Sequence, residues 1–512
     1  MKFLSKEINY KNEILSGLTV ALALVPEAIA FSFVLGVDPL VGLYSAFIMG
    51  IVTSILGGRP GMISGATGAI AVVLAALVSS YGVEYLFTTV ILMGLIQVLA
   101  GILKLGKFSR IIPHSVMLGF VNGLAIVIFK AQLGQFKTID SYGNSVWISG
   151  NQLYIMFALV ILTMIIIKFL PKLTKAVPST LVAIIVTTLL SLKLTKLGFN
   201  IPNVQDFAGG EISGGLPKFH LPVVPFNLET LKIVFPFAIT AAFVGLIESL
   251  LTLSLVDELT NTRGKSNKET IGQGIANLIS GFTGGMGGCA MIGQSIINVT
   301  SGGKTRISSG FAAISLLMFV MFASGLIGMI PLAALVGVMF MVVIGTFEWE
   351  SFQLFNKIPK KDVFIIIVVT VITVVEDLAI AVIVGIIISA LTFAWEKGKK
   401  ISAKIEFREN DIKIYRLEGP LFFGSALSFK ELFTPNEDPK EIYIDFKHSY
   451  VSDHSAIEAI NAITEKYREL GKKIILKHLS SDCLILLKNA EEIIEVNVME
   501  DPNYHVADDS LA

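Results

Sequence analysis

Apolar residues come in runs of membrane-spanning length from Ile14 to about Trp395, and most of the polar breaks between them are short. A helix needs about 20 apolar residues to cross a bilayer. The runs predict helices near 14–36, 39–57, 64–82, 85–103, 112–131, 152–170 and 176–192. After a polar loop they predict helices near 231–256, 268–284, 288–300, 307–328, 331–347, 363–376 and 378–395. That makes seven plus seven, or fourteen. Past residue 400 the period changes. "IKIYRLEG" and "EIYIDF" alternate as strands do, "SAIEAINAITEKYREL" has helical spacing, and "KKIILKHL" reads as a further strand. The pattern predicts a polytopic α-helical membrane protein over 1–396, a short basic link over 396–404, and a soluble α/β domain over 401–512.

Basic residues orient the runs, since cytoplasmic loops collect Lys and Arg. Lys104, Lys107 and Arg110 follow the fourth run, and Lys168, Lys172 and Lys175 follow the sixth. Arg263, Lys265 and Lys268 follow the eighth, Lys304 and Arg306 the tenth, and Lys357, Lys360 and Lys361 the twelfth. Lys397, Lys399, Lys400 and Lys404 follow the last. Both termini are therefore expected in the cytoplasm, and the loop 193–230 outside, although it carries lysines of its own. The opening "MKFLSKEINYKNE" is polar. The apolar run behind it is longer than the about 7–15 residues of a signal peptide's apolar region, so it reads as a first membrane helix.

Composition agrees. Of 512 residues, 53% are hydrophobic and only 16% charged, with mean hydropathy +0.74; a soluble chain carries roughly 25% charge. The net charge is zero, which points to no nucleic-acid partner. Two distant cysteines, Cys289 and Cys483, support neither a disulfide framework nor a metal site. Enzyme motifs fail on inspection. "GMGGCA" (285–290) fits G-x-G-x-x-A but has no strand before it, and "GGKT" (302–305) has Asn298 where a phosphate loop needs its first glycine. Six scattered histidines form no triad or H-E-x-x-H. No enzyme and no cofactor is expected.

The two halves, about 1–192 and 231–396, echo each other. Glu27 is the sole charge between Ile14 and Val37, and Glu248 the sole charge between Ile233 and Val256. "GGRPGMISGATGAIAVV" (57–73) follows the first acid and "GGMGGCAMIGQSIINVT" (284–300) the second. Thr67 stands 40 positions after Glu27, and Cys289 stands 41 after Glu248. Short, Gly-interrupted segments at matching places in two halves mark a transporter's binding site, and an odd number of helices per half makes the repeats inverted. Broken helices leave free N–H groups, tolerated at membrane depth only beside a cavity. Each helix start carries roughly +0.5 elementary charge, so two of them suit a small anion.

Charge then constrains the mechanism. Two ionised glutamates bring −2 against about +1 of dipole, and an anion adds to the excess. At least one glutamate must be protonated or paired with a cation when the anion binds. An ionised acid at mid-membrane costs about 2.5–3.5 kcal/mol on insertion scales, an expense that suits a coupling role for a proton or sodium. Pro26 fits, since it frees a backbone carbonyl one turn back. Plainer readings stand beside these. Glu27 could bond a neighbouring helix. Glu248 and Thr252, at i and i+4, could hold Na⁺ or simply glue helices together. The glycines could serve close packing, though their coincidence in both halves favours a site.

These stretches resemble the sulfate permease family of anion transporters. "VPEAIAFSFVLGVDPLVGLYSAF" (25–47) looks like its first-helix signature, and "GGRPGMISGATGAIAVV" like its third helix. "IESLLTLSLVD" (247–257) looks like its eighth, and "GGCAMIGQSIINVTSGGKT" (287–305) like its tenth. The resemblance implies fourteen transmembrane helices in two inverted seven-helix repeats, a core domain moving against a gate domain, and a homodimer in the lipid of the cell's inner membrane. It implies an anion site lined by Glu27 and Phe31 from the first helix, capped by Thr67 and Gly68, with backbone from Met291, Ile292 and Gly293. In sodium-coupled bicarbonate members an acid and a threonine of the eighth helix hold Na⁺; Glu248 and Thr252 match them, with Ala290 and Met291 adding carbonyls. This chain departs from many eukaryotic members, which resemble each other in having Gln at Glu27, and from vertebrate exchangers, which have Arg at Gln294. The tail resembles the STAS domain, a surface for a regulatory protein or a nucleotide, and Ser455 matches its phosphorylatable serine; there Asp453 or Ser455 could merely start a helix. The resulting expectation is a proton-coupled secondary active transporter of a small inorganic anion, sulfate favoured, that works by alternating access with the anion held between the starts of the third and tenth helices. The alternative is a sodium-coupled bicarbonate symporter, followed by a dicarboxylate or nucleobase transporter, or a signalling scaffold with a vestigial membrane part.

Overall fold

The computed structural model describes residues 9–107, 113–139, 145–174, 178–210, 212, 214–354, 357–376, 378–408 and 412–478. The chain divides into two compact units, one reaching Ile386 and the other starting at Ile387.

The first unit opens with α1 (Tyr10–Leu35), α2 (Pro39–Leu56), a two-residue β1 (Ser64–Gly65), α3 (Gly68–Tyr81), α4 (Val83–Ile102) and α5 (His114–Leu133). A hairpin of β2 (Lys137–Ile139) and β3 (Ser145–Trp147) leads into α6 (Asn151–Leu173) and α7 (Ser179–Lys196). Then come α8 (Leu228–Thr260), α9 (Ser266–Phe282), a two-residue β4 (Cys289–Ala290), α10 (Ile292–Thr300) and α11 (Arg306–Phe322). The helical series ends with α12 (Leu332–Thr346), α13 (Lys360–Val375) and α14 (Leu378–Gly398). Among the described residues, nine helical stretches are long and apolar enough to cross a membrane, while α3 and α11 are apolar but shorter.

Local chemistry sets several boundaries. Asp38 caps α2 by accepting the Leu40 N–H at 2.8 Å, with Pro39 pre-set at the first helical position. Asn227 caps α8 through the Thr230 N–H, also at 2.8 Å. α11 stops at Phe322, so the single helix expected over 307–328 divides: Ala323 leaves helical geometry at ψ 15°, and a short turn follows over Ser324–Gly328. The Ser324–Gly325 pair there is a weak helix former. The loop after α7 also holds a short helix, Val204–Ala208, closed by a capping box between Asn203 and Asp206. Arg110 and Lys175, two of the charges used for orientation, lie outside the described residues.

The helices pack in two groups. α1 packs on α2, α3, α10 and α11, α4 packs on α8 and α9, and α9 also packs on α2. Separately, α5 packs on α12 and α13, and α6 on α7 and α12. The α4–α9 contact is tight at Gly94, where an added methyl carbon would lie 2.6 Å from the Gly274 carbonyl oxygen, so only glycine permits that approach.

The second unit carries a four-stranded sheet in the order β5 (Ser402–Arg408), β6 (Ile412–Glu418), β7 (Glu441–His448), β8 (Lys473–Lys477). β5 is antiparallel to β6, and the other pairs are parallel. α15 (Ala426–Glu431) and α16 (His454–Glu469) join it, around a core that includes Leu417, Phe429, Ile444, Phe446, Ile460 and Leu476. The basic link expected over 396–404 is mostly ordered structure: α14 runs to Gly398 and β5 begins at Ser402. Ile401, Ala403, Ile405 and Phe407 alternate with polar residues, and that period of two makes a strand.

One buried carboxylate ties this domain together. Asp438, with no exposed side-chain surface, accepts hydrogen bonds from Tyr415 at 2.6 Å, from Thr434 at 2.9 Å, and from Lys413 and Tyr467. Burial alone would raise its pKa, but the bonds from Lys413, Tyr415, Tyr467 and Thr434 outweigh it and hold the carboxyl below its usual range. A depressed folded pKa adds stability that is present above the unfolded value, about 3.9, and is lost as pH falls through the folded one. Asp438→Ala removes one partner of a buried ion pair and is expected to destabilise the domain by about 3–5 kcal/mol. Limited proteolysis of the full-length protein checks this: the variant is cut in the domain at neutral pH, and the wild type resists until acidified. Equal resistance of both would refute the assignment.

Candidate functional site

β1 and β4 come from opposite halves of the chain, yet they pair with each other. Their antiparallel register sets Ser64 against Ala290 and Gly65 against Cys289. Two further bonds extend the pairing: the Met291 N–H donates to the Ile63 carbonyl at 2.8 Å, and the Ile63 N–H donates to Ser295 Oγ at 3.0 Å. α3 starts at Gly68 and α10 at Ile292, each within a few residues of the paired segment. Because the strands are antiparallel, the two helices leave the pair in opposite directions. Thr67 and Met291 precede them in extended conformation, and neither start carries a side-chain cap. The first-turn N–H groups of both helices are thus left for another acceptor.

Side chains from α1 and α5 close around this point. Phe31 is buried, and a methyl carbon on Gly68 would lie 2.7 Å from its ring and 3.0 Å from Ile128. Gly293 is different: it is exposed, and a methyl carbon there would meet nothing within 4 Å. The space beside the α10 start is therefore open, while the α3 start is walled by Phe31.

The two acids reach the crossing from different sides. Glu27, buried on α1 next to the in-helix Pro26, accepts a hydrogen bond from the Gln294 side-chain amide in the first turn of α10. Glu248, half-buried on α8, accepts the Cys289 thiol proton across 2.9 Å. Cys289 Sγ lies 3.2 Å from the Thr67 hydroxyl. With the thiol proton directed at Glu248, the Thr67 hydroxyl is the donor to sulfur. Thr67 and Cys289, the residues at corresponding places in the two halves, are in direct contact. The next residue of α8 contributes too, as Ser249 Oγ accepts the Ala290 N–H at 3.1 Å.

Glu27, Phe31, Thr67, Gly68, Met291, Ile292 and Gly293 thus gather around the two helix starts. The paired role expected for Glu248 and Thr252 is not formed in this geometry. Thr252 Oγ1 donates to the Glu248 main-chain carbonyl at 2.7 Å, a bond within its own helix, while the Glu248 carboxylate turns to Cys289. Cys289 and Gln294 had no assigned role in the sequence reading. A polar residue in the first turn of the short, apolar α10 was the available signal for Gln294. Among the described residues no group of three or more His, Cys, Asp or Glu side chains is placed to hold a metal. In the second unit Asp453 starts α16, its carboxylate accepting the Ala456 N–H at 2.9 Å and the Phe423 N–H at 2.8 Å; Ser455 lies in the first turn, half-buried.

Similarity to known proteins follows the same geography. The chain matches the family model for the Sulfate permease family over residues 10–369 and that for the STAS domain over residues 403–498. A Bacillus subtilis protein carrying the name of a sulfate transporter, YbaR, is 45% identical over 482 residues, covering 94% of this chain and 97% of its own. The transmembrane domain of a cyanobacterial bicarbonate transporter, BicA, is 33% identical with a TM-score of 0.64, covering 73% of this chain and 97% of that one. The murine Solute Carrier 26 family member A9, at 17% identity, shares the fold alone, with a TM-score of 0.80 over 94% of this chain and 88% of that one. On this evidence the chain belongs to the sulfate permease family and is a multi-pass membrane protein with a C-terminal STAS domain.

Proposed function

We propose that the protein is a secondary active transporter of a small inorganic anion, sulfate by preference, driven by protons and working by alternating access. The observation that carries this reading is the convergence of two uncapped helix starts, α3 and α10, beside two membrane-embedded acids. The starts supply about +1 of dipole charge and free N–H donors, and Glu27 and Glu248 supply more negative charge than that can balance. An anion enters such a site favourably only when a proton or another cation accompanies it. Glu27 is the proton carrier of choice, because it bonds Gln294 on the very turn that would hold the anion. The anion is held by Thr67, Gly68 and the backbone of Met291, Ile292 and Gly293, against Phe31.

Fourteen membrane helices in two inverted seven-helix repeats complete the reading. The packing supports it: each contact joins a helix of one half to a helix of the other, α4 on α9 corresponding to α11 on α2, and α5 on α13 to α12 on α6. The group around α1 and α8 is the core and the group around α5 and α12 the gate, with both termini cytoplasmic in an inner-membrane homodimer. The STAS domain regulates, through Ser455 or a bound protein or nucleotide. The transport domain is assigned to 1–396 and the STAS domain to 401–512.

Sodium-coupled bicarbonate uptake is the second reading, favoured by likeness to a transporter with that anion in its name. There Glu248, Thr252 and the carbonyls of Ala290 and Met291 would take Na⁺, after the Glu248 carboxylate turns from Cys289. Uptake into liposomes separates the two. Labelled sulfate accumulating under an inward proton gradient, with no need for Na⁺, supports the first. Bicarbonate uptake that requires Na⁺, ignores pH and fails in Glu248→Ala replaces it with the second.

A further inference from the structure

α9 carries eight polar side chains among its 17 residues. Glu269, Gln273, Asn277 and Ser280 are spaced four, four and three apart, so they line one face of the helix. All four are at most 1% exposed. Most of their partners lie in the two segments that lead into α3 and α10, taken in order along the helix. Glu269 accepts the Gly58 N–H at 2.6 Å and the Arg59 N–H at 3.2 Å. Gln273 Nε2 donates to Ser64 Oγ of β1 at 2.7 Å and to Glu269 at 2.8 Å. Asn277 donates to the Gly288 carbonyl at 3.0 Å and to Gln97 Oε1 of α4 at 2.8 Å, and accepts the Gly288 N–H at 2.8 Å. Ser280 Oγ accepts the Gly287 N–H at 3.3 Å, and Ser45 Oγ, 3.1 Å away, donates to the Gly287 carbonyl at 2.6 Å.

We propose that α9 sets the separation of the two helix starts, with Gln273 and Asn277 as positioning residues that fix anion affinity without touching the anion. The proposal rests on the reading that the two starts hold an anion. The β1–β4 ladder is only two residues long, too short to hold a register by itself. Asn277 fixes one strand's approach through both its donor and its acceptor, and Gln273 fixes the other. Gln273 Oε1 has no hydrogen-bond partner, so its amide is held by the donor side alone. Losing that donor releases Ser64 and lets the N–H groups of the α3 start drift from those of α10. Helix-start donors bind an anion well only when they are pre-aimed.

The test is a comparison of KM with maximal rate for labelled sulfate in liposomes. Saturable uptake by the wild type comes first; its absence would refute the transport reading and leave α9 out of question. Given uptake, Gln273→Met and Asn277→Leu keep side-chain volume and remove the bonds. KM is expected to rise about tenfold or more, as for two buried hydrogen bonds lost at Gln273 and three at Asn277, with maximal rate nearly unchanged. Thr270→Val, on the same buried helix but bonded to its own Ser266 carbonyl and not to the segments that lead into α3 and α10, is expected to leave KM unchanged. Ser64→Ala removes the Gln273 bond from the other end, so it must raise KM by itself, and combining it with Gln273→Met must add nothing. An unchanged KM in Ser64→Ala, or full additivity of the pair, would overturn the proposal even if the α9 variants fail to fold.

Discussion

Glu27→Gln retains saturable anion binding and loses all accumulation driven by a proton gradient. The substitution keeps the shape of the side chain, and its amide oxygen can still accept from Gln294, so the α1–α10 contact survives. What disappears is the titrating charge. With one proton moved per anion at zero membrane potential, a gradient of one pH unit supports about tenfold accumulation, the equivalent of 1.36 kcal/mol. The wild type is expected to reach that level and the variant to stop at equal concentrations on both sides. Steady-state uptake at a clamped potential reads the difference. A variant that still accumulates would remove Glu27 from the coupling and move the role to Glu248.

Gly288→Ala abolishes saturable uptake. A methyl carbon at this position would lie 1.9 Å from the Gly65 carbonyl oxygen and 2.7 Å from its carbon. Both are backbone atoms, so no side chain can turn aside, and the only relief is to part β1 from β4. Overpacking in a core costs typically about 1–3 kcal/mol, and a backbone obstacle belongs at the top of that range. The rest of the membrane unit is untouched, so the protein should still insert and remain monodisperse in detergent. Gly293→Ala supplies the contrast, because its methyl meets open space. It should fold as the wild type does, and any change in KM there reports on crowding of the occupant. Normal uptake by Gly288→Ala would mean that the strand pair does not build the site.

Much of this was legible in the sequence because a bilayer leaves few ways to satisfy it. Apolar runs, basic clusters and two lone acids stand out when charge is costly, and the Gly-rich stretches at 57–73 and 284–300 marked where helices break. The strand pairing was not legible. Two residues facing two others from a distant part of the chain leave no periodicity. Nor was the polar face of α9, whose partners lie up to 235 residues away; within a membrane run its Glu, Gln and Asn read as interruptions. Gln294 looks like an ordinary helix-start residue until Glu27 is placed beside it, and Cys289, matched to Thr67 by position, gains a partner only once Glu248 is placed beside it. β5 was missed for a different reason: its alternation was plain, but it begins directly behind a basic helix end and merged with it.

The shared ladder also bears on biogenesis. β1 emerges from the ribosome early, but its mate ends at Ala290, so the amino-terminal half enters the membrane with an open edge and must wait for more than two hundred further residues. Severing the chain within 193–230 and supplying the pieces as separate polypeptides should therefore yield activity only when both are translated together.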